Sequence, residues 1–350
     1  MHEHHIPRVL TSEEQHRRML QTPVAKLILS LAAPTVASQL ISIIYNTADT
    51  YFVSQISTSA SAAVGVVFSL QSIIQAYGFG VAMGAGSLIS LRLGEKKDRD
   101  ANMYATSGFL AEFVGGLLML VFGLLYLEPL IRVLGATETM LPHACAYGRI
   151  ILMGAPIMCG SFILNCILRA EGAAVASMIG LCSGGILNIA LDPLFIYVFG
   201  LNVAGAATAT IISQLLTFIF VVTFLRLKST KIRLSLCRPE LRIIGNIAKL
   251  GVSPFIIMAS DGLIIIIQNA VLQRMGGPAE RDMWITVATV VQAFFSLVST
   301  PLLGISEGSQ PVLSYAYGAK NEKLIKRAEV RILISCLVFT TAMTVISIFC

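Results

Sequence analysis

Long apolar runs dominate the pattern of this chain, and short charged segments separate them. Nine windows are predominantly apolar over about 20 residues or more, the length an α-helix needs to cross a bilayer. They lie near 27–52, 61–91, 103–127, 143–168, 174–199, 203–225, 247–273, 284–316 and 327–350. The runs are continuous, without the two-residue alternation of a membrane strand, and they exceed the ~9–11 residues such a strand needs. The pattern therefore predicts an all-α integral membrane protein. The second and eighth windows are longer than a bilayer requires, which predicts tilt or a kink.

Composition agrees with the pattern. The chain is 55% hydrophobic and 13% charged, with mean hydropathy +0.79, where a soluble domain carries about 25% charge. A net charge of +6 would suit a polyanionic partner, but its placement changes that reading. Every Lys and Arg except Arg132, Arg149, Arg274 and Arg281 falls on one side of the expected bundle. The positive-inside rule makes that side cytoplasmic, with the N-terminus inside. The basic balance reports topology, and no nucleic-acid partner follows from it. Arg169 reads as a loop residue between the fourth and fifth spans, with Glu171 beside it in a surface ion pair. His2, His4 and His5 read as tail residues, and no small-residue cleavage site follows Arg17 and Arg18. The seven cysteines lack paired spacing and read as free thiols. No cluster of His, Asp or Glu has the spacing of a membrane enzyme's active centre, so neither an enzyme nor a cofactor is expected.

Charge inside the spans is rare, and each instance needs a reason. Asp192 is the sole charge in the 27 residues Ala173–Phe199. A carboxylate at that depth costs at least ~2.5 kcal/mol, so function is its default reading. Asn188 lies one turn earlier on the same helix face. Pro193 follows and cannot donate to the carbonyl of Ile189. An acid, an amide and a freed carbonyl thus converge at mid-span. Asp49, Glu112, Asp261 and Glu307 are further intramembrane acids, and Glu307 sits between Gly304 and Gly308, where backbones can approach closely. Pro34 interrupts the hydrogen bonding of the first span.

Two stretches recur. Leu31-Ala-Ala-Pro34 matches Gly251-Val-Ser-Pro254, and Ser87-Leu-Ile-Ser-Leu-Arg-Leu-Gly94 matches Pro311-Val-Leu-Ser-Tyr-Ala-Tyr-Gly318. Gly80 and Gly84 correspond to Gly304 and Gly308 at the same offset. The repeat unit holds six spans, and an even number returns the chain to its starting side. Both units then have one orientation, the parallel-repeat plan of some secondary transporters. The expected organisation is a cytoplasmic segment at 1–23, a first six-helix lobe at 24–227, a cytoplasmic linker at 228–246, and a second lobe begun by three helices at 247–350. Two whole units would need about 440 residues, so a C-terminally truncated chain is the expectation.

The block Leu168-Arg-Ala-Glu-Gly172, then Asn188-Ile-Ala-Leu-Asp-Pro-Leu-Phe-Ile196 and Gly205-Ala-Ala-Thr-Ala-Thr210, resembles the multidrug and toxic compound extrusion (MATE) family. Pro34 with Asp49 and the ending of the eighth span fit as well. The branch is similar to the prokaryotic MepA-like and DinF-like members, over about residues 24–350. The resemblance implies two six-helix lobes exchanging drug for sodium ions or protons. It implies a first-lobe cation site at Asp49, Asn188, Asp192 and Thr210, with Tyr147 close by, and a bend at Pro34 to set beside Pro193. Asp261 matches a span in which some relatives carry a second-lobe acid, and Glu307 joins it as a possible second-lobe polar site. The expected partners are small amphipathic cationic drugs and membrane lipid, for a monomer in a prokaryotic inner membrane. Two alternatives stand beside antiport. A flippase for lipid-linked oligosaccharide would line its cavity with Arg and Lys, and only Arg149 lies inside a first-lobe span. The other is a fragment that does not transport.

Overall fold

A computed structural model describes residues 12–56, 58–136, 138, 140–227, 232–234, 240–275 and 281–349. His2, His4 and His5 lie outside the described residues, as do 228–231 and 235–239 of the linker. Most of the described residues are helical, and none of them lies in a strand. A short amphipathic helix, α1 (Ser12–Gln21), precedes the long helices α2 (Val24–Ser54), α3 (Thr58–Gly94) and α4 (Asp98–Leu125). A short seven-residue helix, α5 (Leu127–Val133), leads to α6 (Leu141–Ala170), α7 (Ala174–Pro193) and α8 (Asn202–Leu227). Then come α9 (Leu241–Met275), α10 (Arg281–Gly318) and α11 (Glu322–Phe349).

Among the described residues, eight helices are long and apolar enough to cross a membrane, and they match eight of the nine expected spans. The ninth expected span corresponds to α10, where the side chains of 281–290, 292–294 and 297 lie outside the described residues. Helix α10 packs against α2 and α3. The long windows at α3 and α10 are continuous helices, with Pro301 and Pro311 inside α10. Helix α2 continues through Pro34. Hydroxyls bind back to carbonyls on either side of it: Thr35 Oγ1 donates to Leu31 O (2.9 Å) and Ser38 Oγ to Pro34 O (2.8 Å). Pro193 ends the regular part of α7, and Leu194–Val198 continues as a π-helical turn. Such turns absorb a missing helical bond and are frequent at functional sites.

The two units pack on each other through glycines, in a crossed pattern. Glycines of α3 sit on α9: a Cβ on Gly80 would lie 2.8 Å from Phe255 Cβ, and one on Gly84 would meet Ile247 O and lie 2.9 Å from Gly251 N. Glycines of α10 sit on α2: a Cβ on Gly304 would lie 2.9 Å from Val36 Cα, and one on Gly308 2.5 Å from Ala32 Cα. At the end that carries the basic loops, a Cβ on Gly94 would strike the Tyr315 carbonyl, and one on Gly318 the Leu91 carbonyl. Tyr315 and Leu91 are themselves repeat partners, so the contact is reciprocal. The turns that follow also agree. Lys96 and Lys320 both adopt positive φ, 60° and 54°. Their flanking bonds coincide: Lys97 N donates to Arg92 O (2.9 Å) and Asn321 N to Ala316 O (3.0 Å).

Two expectations need correction. Arg169 is in the last turn of α6, because that helix runs to Ala170. Its side chain is 11% exposed, and Nη1 lies 3.7 Å from Glu307 Oε2 across the two units. Glu171 is buried, and its Oε1 accepts from Ile232 N at 2.7 Å, which ties the segment at 232–234 to the end of α6. The expected surface pair is therefore replaced by an inter-unit contact and a loop anchor. Arg149, in turn, is exposed.

Candidate functional site

Four helices of the first unit bring the expected residues together. Asp49 comes from α2, Tyr147 from α6, Asn188 and Asp192 from α7, and Thr210 from α8. Small residues let these helices approach. Gly184 meets Thr217 of α8, and Gly185 lies against the Tyr45 ring of α2. Asp192 is fully buried, and Asn188, Tyr147 and Thr210 are buried with it.

The helical repeat places Asn188 and Asp192 on one face, as their spacing predicts. Asn188 Nδ2 donates to Asp192 Oδ1 and to Thr210 Oγ1, both long at 3.4 Å. Thr210 Oγ1 donates to Ala206 O at 3.1 Å. The Tyr147 hydroxyl lies beside both Asp49 and Thr210. Three buried acceptors here have no hydrogen-bond donor: Asp49 Oδ1, Asn188 Oδ1 and Asp192 Oδ2. Leaving one such group unsatisfied costs about 1–3 kcal/mol, and more when it is charged. Asp49, Tyr147, Asn188 and Thr210 border one cavity of about 20 Å³, room for a water-sized species. Carboxylate, amide and hydroxyl oxygens form the donor set. Among the described residues no three His, Cys, Asp or Glu gather as a metal cluster. The chemistry on offer is thus that of a hard cation or a proton.

A larger cavity of about 690 Å³ lies between the units. Among the described residues its charged lining is Arg169, Asp261 and Glu307, with Phe79, Phe162, Met158 and Phe295 supplying apolar and polarizable surface. Asp261 is exposed on this wall, and Glu307 is buried at the foot of it. Neither joins the first-unit cluster. Glu112 is also separate, buried beside Cys159 and the Ala82 backbone. Tyr45 is a further residue of the site that no sequence pattern singles out. It borders the large cavity and the cavity beside Asp49, and it borders a third of about 20 Å³ that Asn188, Thr210 and Ser213 share. A tyrosine in an apolar run carries no signal of that position.

Repeat-related helical units, a cavity between them and buried acids inside one unit define a secondary transporter of the parallel-repeat class. Residues 34–194 and 264–350 match the family model MatE, and the chain belongs to that family, the MATE multidrug transporters. The multidrug export protein MepA of Staphylococcus aureus (strain NCTC 8325 / PS 47) is 27% identical over 318 residues, covering 89% of this chain and 69% of that protein. MepA of Staphylococcus saprophyticus is 26% identical over 340 residues, covering 95% of this chain and 74% of the relative. A MATE transporter solved in complex with MaD3S superimposes with a TM-score of 0.88 at 28% identity, over 94% of this chain and 74% of that one.

Proposed function

We propose that this protein exports amphipathic organic cations in exchange for sodium ions or protons, from the cytoplasmic to the outer side of a prokaryotic inner membrane. The supporting observation is the convergence of Asp49 Oδ1, Asn188 Oδ1 and Asp192 Oδ2, all buried and all without a donor. A cation held by these oxygens and Thr210, or a proton on a carboxylate, removes the cost of burying charge. Tyr147 orients the Asp49 side of the site. Neutralising Asp192 changes the last turn before Pro193, where the π-helical turn gives α7 freedom to repack. Bending of α2 at Pro34 would couple this change to the inter-unit cavity. Occupancy then biases which side the cavity faces, and rocking of one lobe (24–227) against the other (247–350) about the linker completes the exchange.

Among the described residues, Asp261 and Glu307 give the cavity wall its negative charge, against the single cation Arg169. That balance favours a cationic substrate and speaks against a flippase for pyrophosphate-linked sugars. MepA is described as a multidrug exporter, and the reading extends that description to this chain.

The test is dye efflux from vesicles carrying the protein, with sodium and pH gradients imposed separately. One gradient should drive efflux, and Asp192→Asn should reduce it to the level of protein-free vesicles with membrane insertion unchanged. Efflux that follows neither gradient, or an unimpaired Asp192→Asn variant, would remove the antiport reading.

A further inference from the structure

At the foot of the inter-unit cavity, Glu307 holds two partners from the opposite unit. Gln39 Nε2 donates to its Oε1 at 3.0 Å, and Arg169 Nη1 lies 3.7 Å from its Oε2. The first contact is a good hydrogen bond. The second is long, since charge-assisted N–H···O bonds run about 2.7–2.9 Å. Arg169 divides its attention, for Nη2 also lies 3.0 Å from Cys166 Sγ. Both charged side chains are nearly shielded from solvent, with 11% and 4% exposed. A buried carboxylate stripped of its cation is strongly unfavourable, so Glu307 requires some positive partner.

Packing does not require an acid at this position. Glu307 corresponds to Met83 in the repeat-related helix α3, where the same glycine contacts form around a methionine. The cavity above the pair is lined by Asp261, Phe79, Phe162 and Phe295, and among the described residues its charged side chains sum to one net negative charge.

We propose that Arg169 is a tethered stand-in for the substrate: an organic monocation binds by replacing the guanidinium at Glu307, and the Arg169–Glu307 link between the units opens as it does so. The loose geometry makes replacement feasible, and the Gln39 bond keeps Glu307 aimed at the cavity while partners change. Binding of substrate and loss of an inter-unit contact become one event. This inference rests on the cationic-substrate reading above.

The experiment is equilibrium dialysis of tetraphenylphosphonium against the full chain in lipid nanodiscs, with triphenylphosphine oxide as the uncharged aryl-phosphorus control. Arg169→Met should bind the cation about tenfold more tightly, equal to about 1.4 kcal/mol, and Arg169→Lys should stay near the parent. Glu307→Gln should bind about tenfold more weakly, and the double variant should match Glu307→Gln alone. Neutral-probe affinity should stay constant throughout. Arg169→Met that binds the neutral probe normally but fails to tighten on the cation overturns the proposal while leaving the cationic-substrate reading intact. Glu307→Gln preserves a side-chain carbonyl for Gln39, so it is the arm least prone to misfold, and unchanged cation affinity there overturns the proposal alone. A parent chain that binds no monocation removes the cationic-substrate reading, and the exchange at Glu307 falls with it.

Discussion

At the end of the bundle with the basic loops, α3 and α10 close on each other through mutual contacts, Gly94 on the Tyr315 carbonyl and Gly318 on that of Leu91. The turns beyond them repeat their backbone bonds to within about a tenth of an ångström in N···O distance, as expected for one conformation built twice. Eleven residues before each closing glycine the copies part company: α3 has Met83 and α10 has Glu307. Glu307 faces Arg169 and Gln39 of the opposite unit. What the copies share is therefore what the inter-unit packing demands, namely small residues where backbones touch. What they do not share is free to carry chemistry. The same logic singles out the first-unit cluster, whose acids sit away from the glycine contacts.

The largest effect should come from breaking the shared part. Gly94→Val and Gly318→Val each push a branched side chain into a partner carbonyl that cannot rotate away. The cost should reach or exceed the upper end of the ~1–3 kcal/mol typical of overpacking. Because the contacts are reciprocal, the two variants should lose similar thermal stability in detergent. A large loss at one glycine and none at the other would show that the symmetry of backbone does not extend to energy.

A smaller effect separates glycines that touch from glycines that do not. Gly84→Ala and Gly308→Ala place a methyl against the α9 and α2 backbones, at 2.9 Å from Gly251 N and 2.5 Å from Ala32 Cα. Each should destabilise by roughly 1–3 kcal/mol. Gly245→Ala is the contrast, for a Cβ there meets nothing within 4 Å in the first turns of α9. That change should stabilise by about 0.5–1 kcal/mol, the helix-propensity gain of alanine over glycine. Equal melting temperatures for all three would deny that backbone approach explains the paired glycines.

These contrasts also mark how much the sequence could say. The spans, the repeat and the glycine pairs were readable because each is a local pattern, recurring at a fixed offset. The gathering of Asn188 with Asp192 followed from helical spacing alone, and the grouping of Asp49, Tyr147 and Thr210 with them came through family resemblance. Arg169 was misplaced because a helix end can shift by a residue or two without any change in composition. Its meeting with Glu307 joins residues 138 apart in sequence, and no periodicity within either helix encodes that. Tyr45 was missed for a related reason: its role comes from bordering three cavities, a property of how α2, α7 and α8 are rotated about their axes.

The smallest effects lie in the two repeated turns, and they sharpen the comparison most finely. Lys96 and Lys320 both occupy left-handed backbone, where a residue with a Cβ is strained by roughly 1–2 kcal/mol. Glycine relieves that strain but loses more entropy on folding, so Lys96→Gly and Lys320→Gly should each gain less than about 1 kcal/mol. The gains should match, since the backbones do. The side chains beside them do not match. Glu95 bonds Lys97 at 2.9 Å and Arg92 at 2.7 Å, whereas the second turn has Ala319 in its place. Those partners, Lys97 first and Arg92 with it, hold the Glu95 carboxyl below the ordinary glutamate range. A lowered value means that the stabilisation is present above the unfolded-state pKa and is lost as pH falls through the folded-state one. The group is a quarter exposed, so its contribution should be within ~0.2–1 kcal/mol. Glu95→Gln should therefore lower the melting temperature slightly at neutral pH and converge with the parent in acid. Ala319→Glu should bring a comparable acid-sensitive increment to the second turn only if Lys320 or Lys323 can close on it. If it adds nothing while Glu95→Gln still costs stability, the two turns share a backbone but not an electrostatic role.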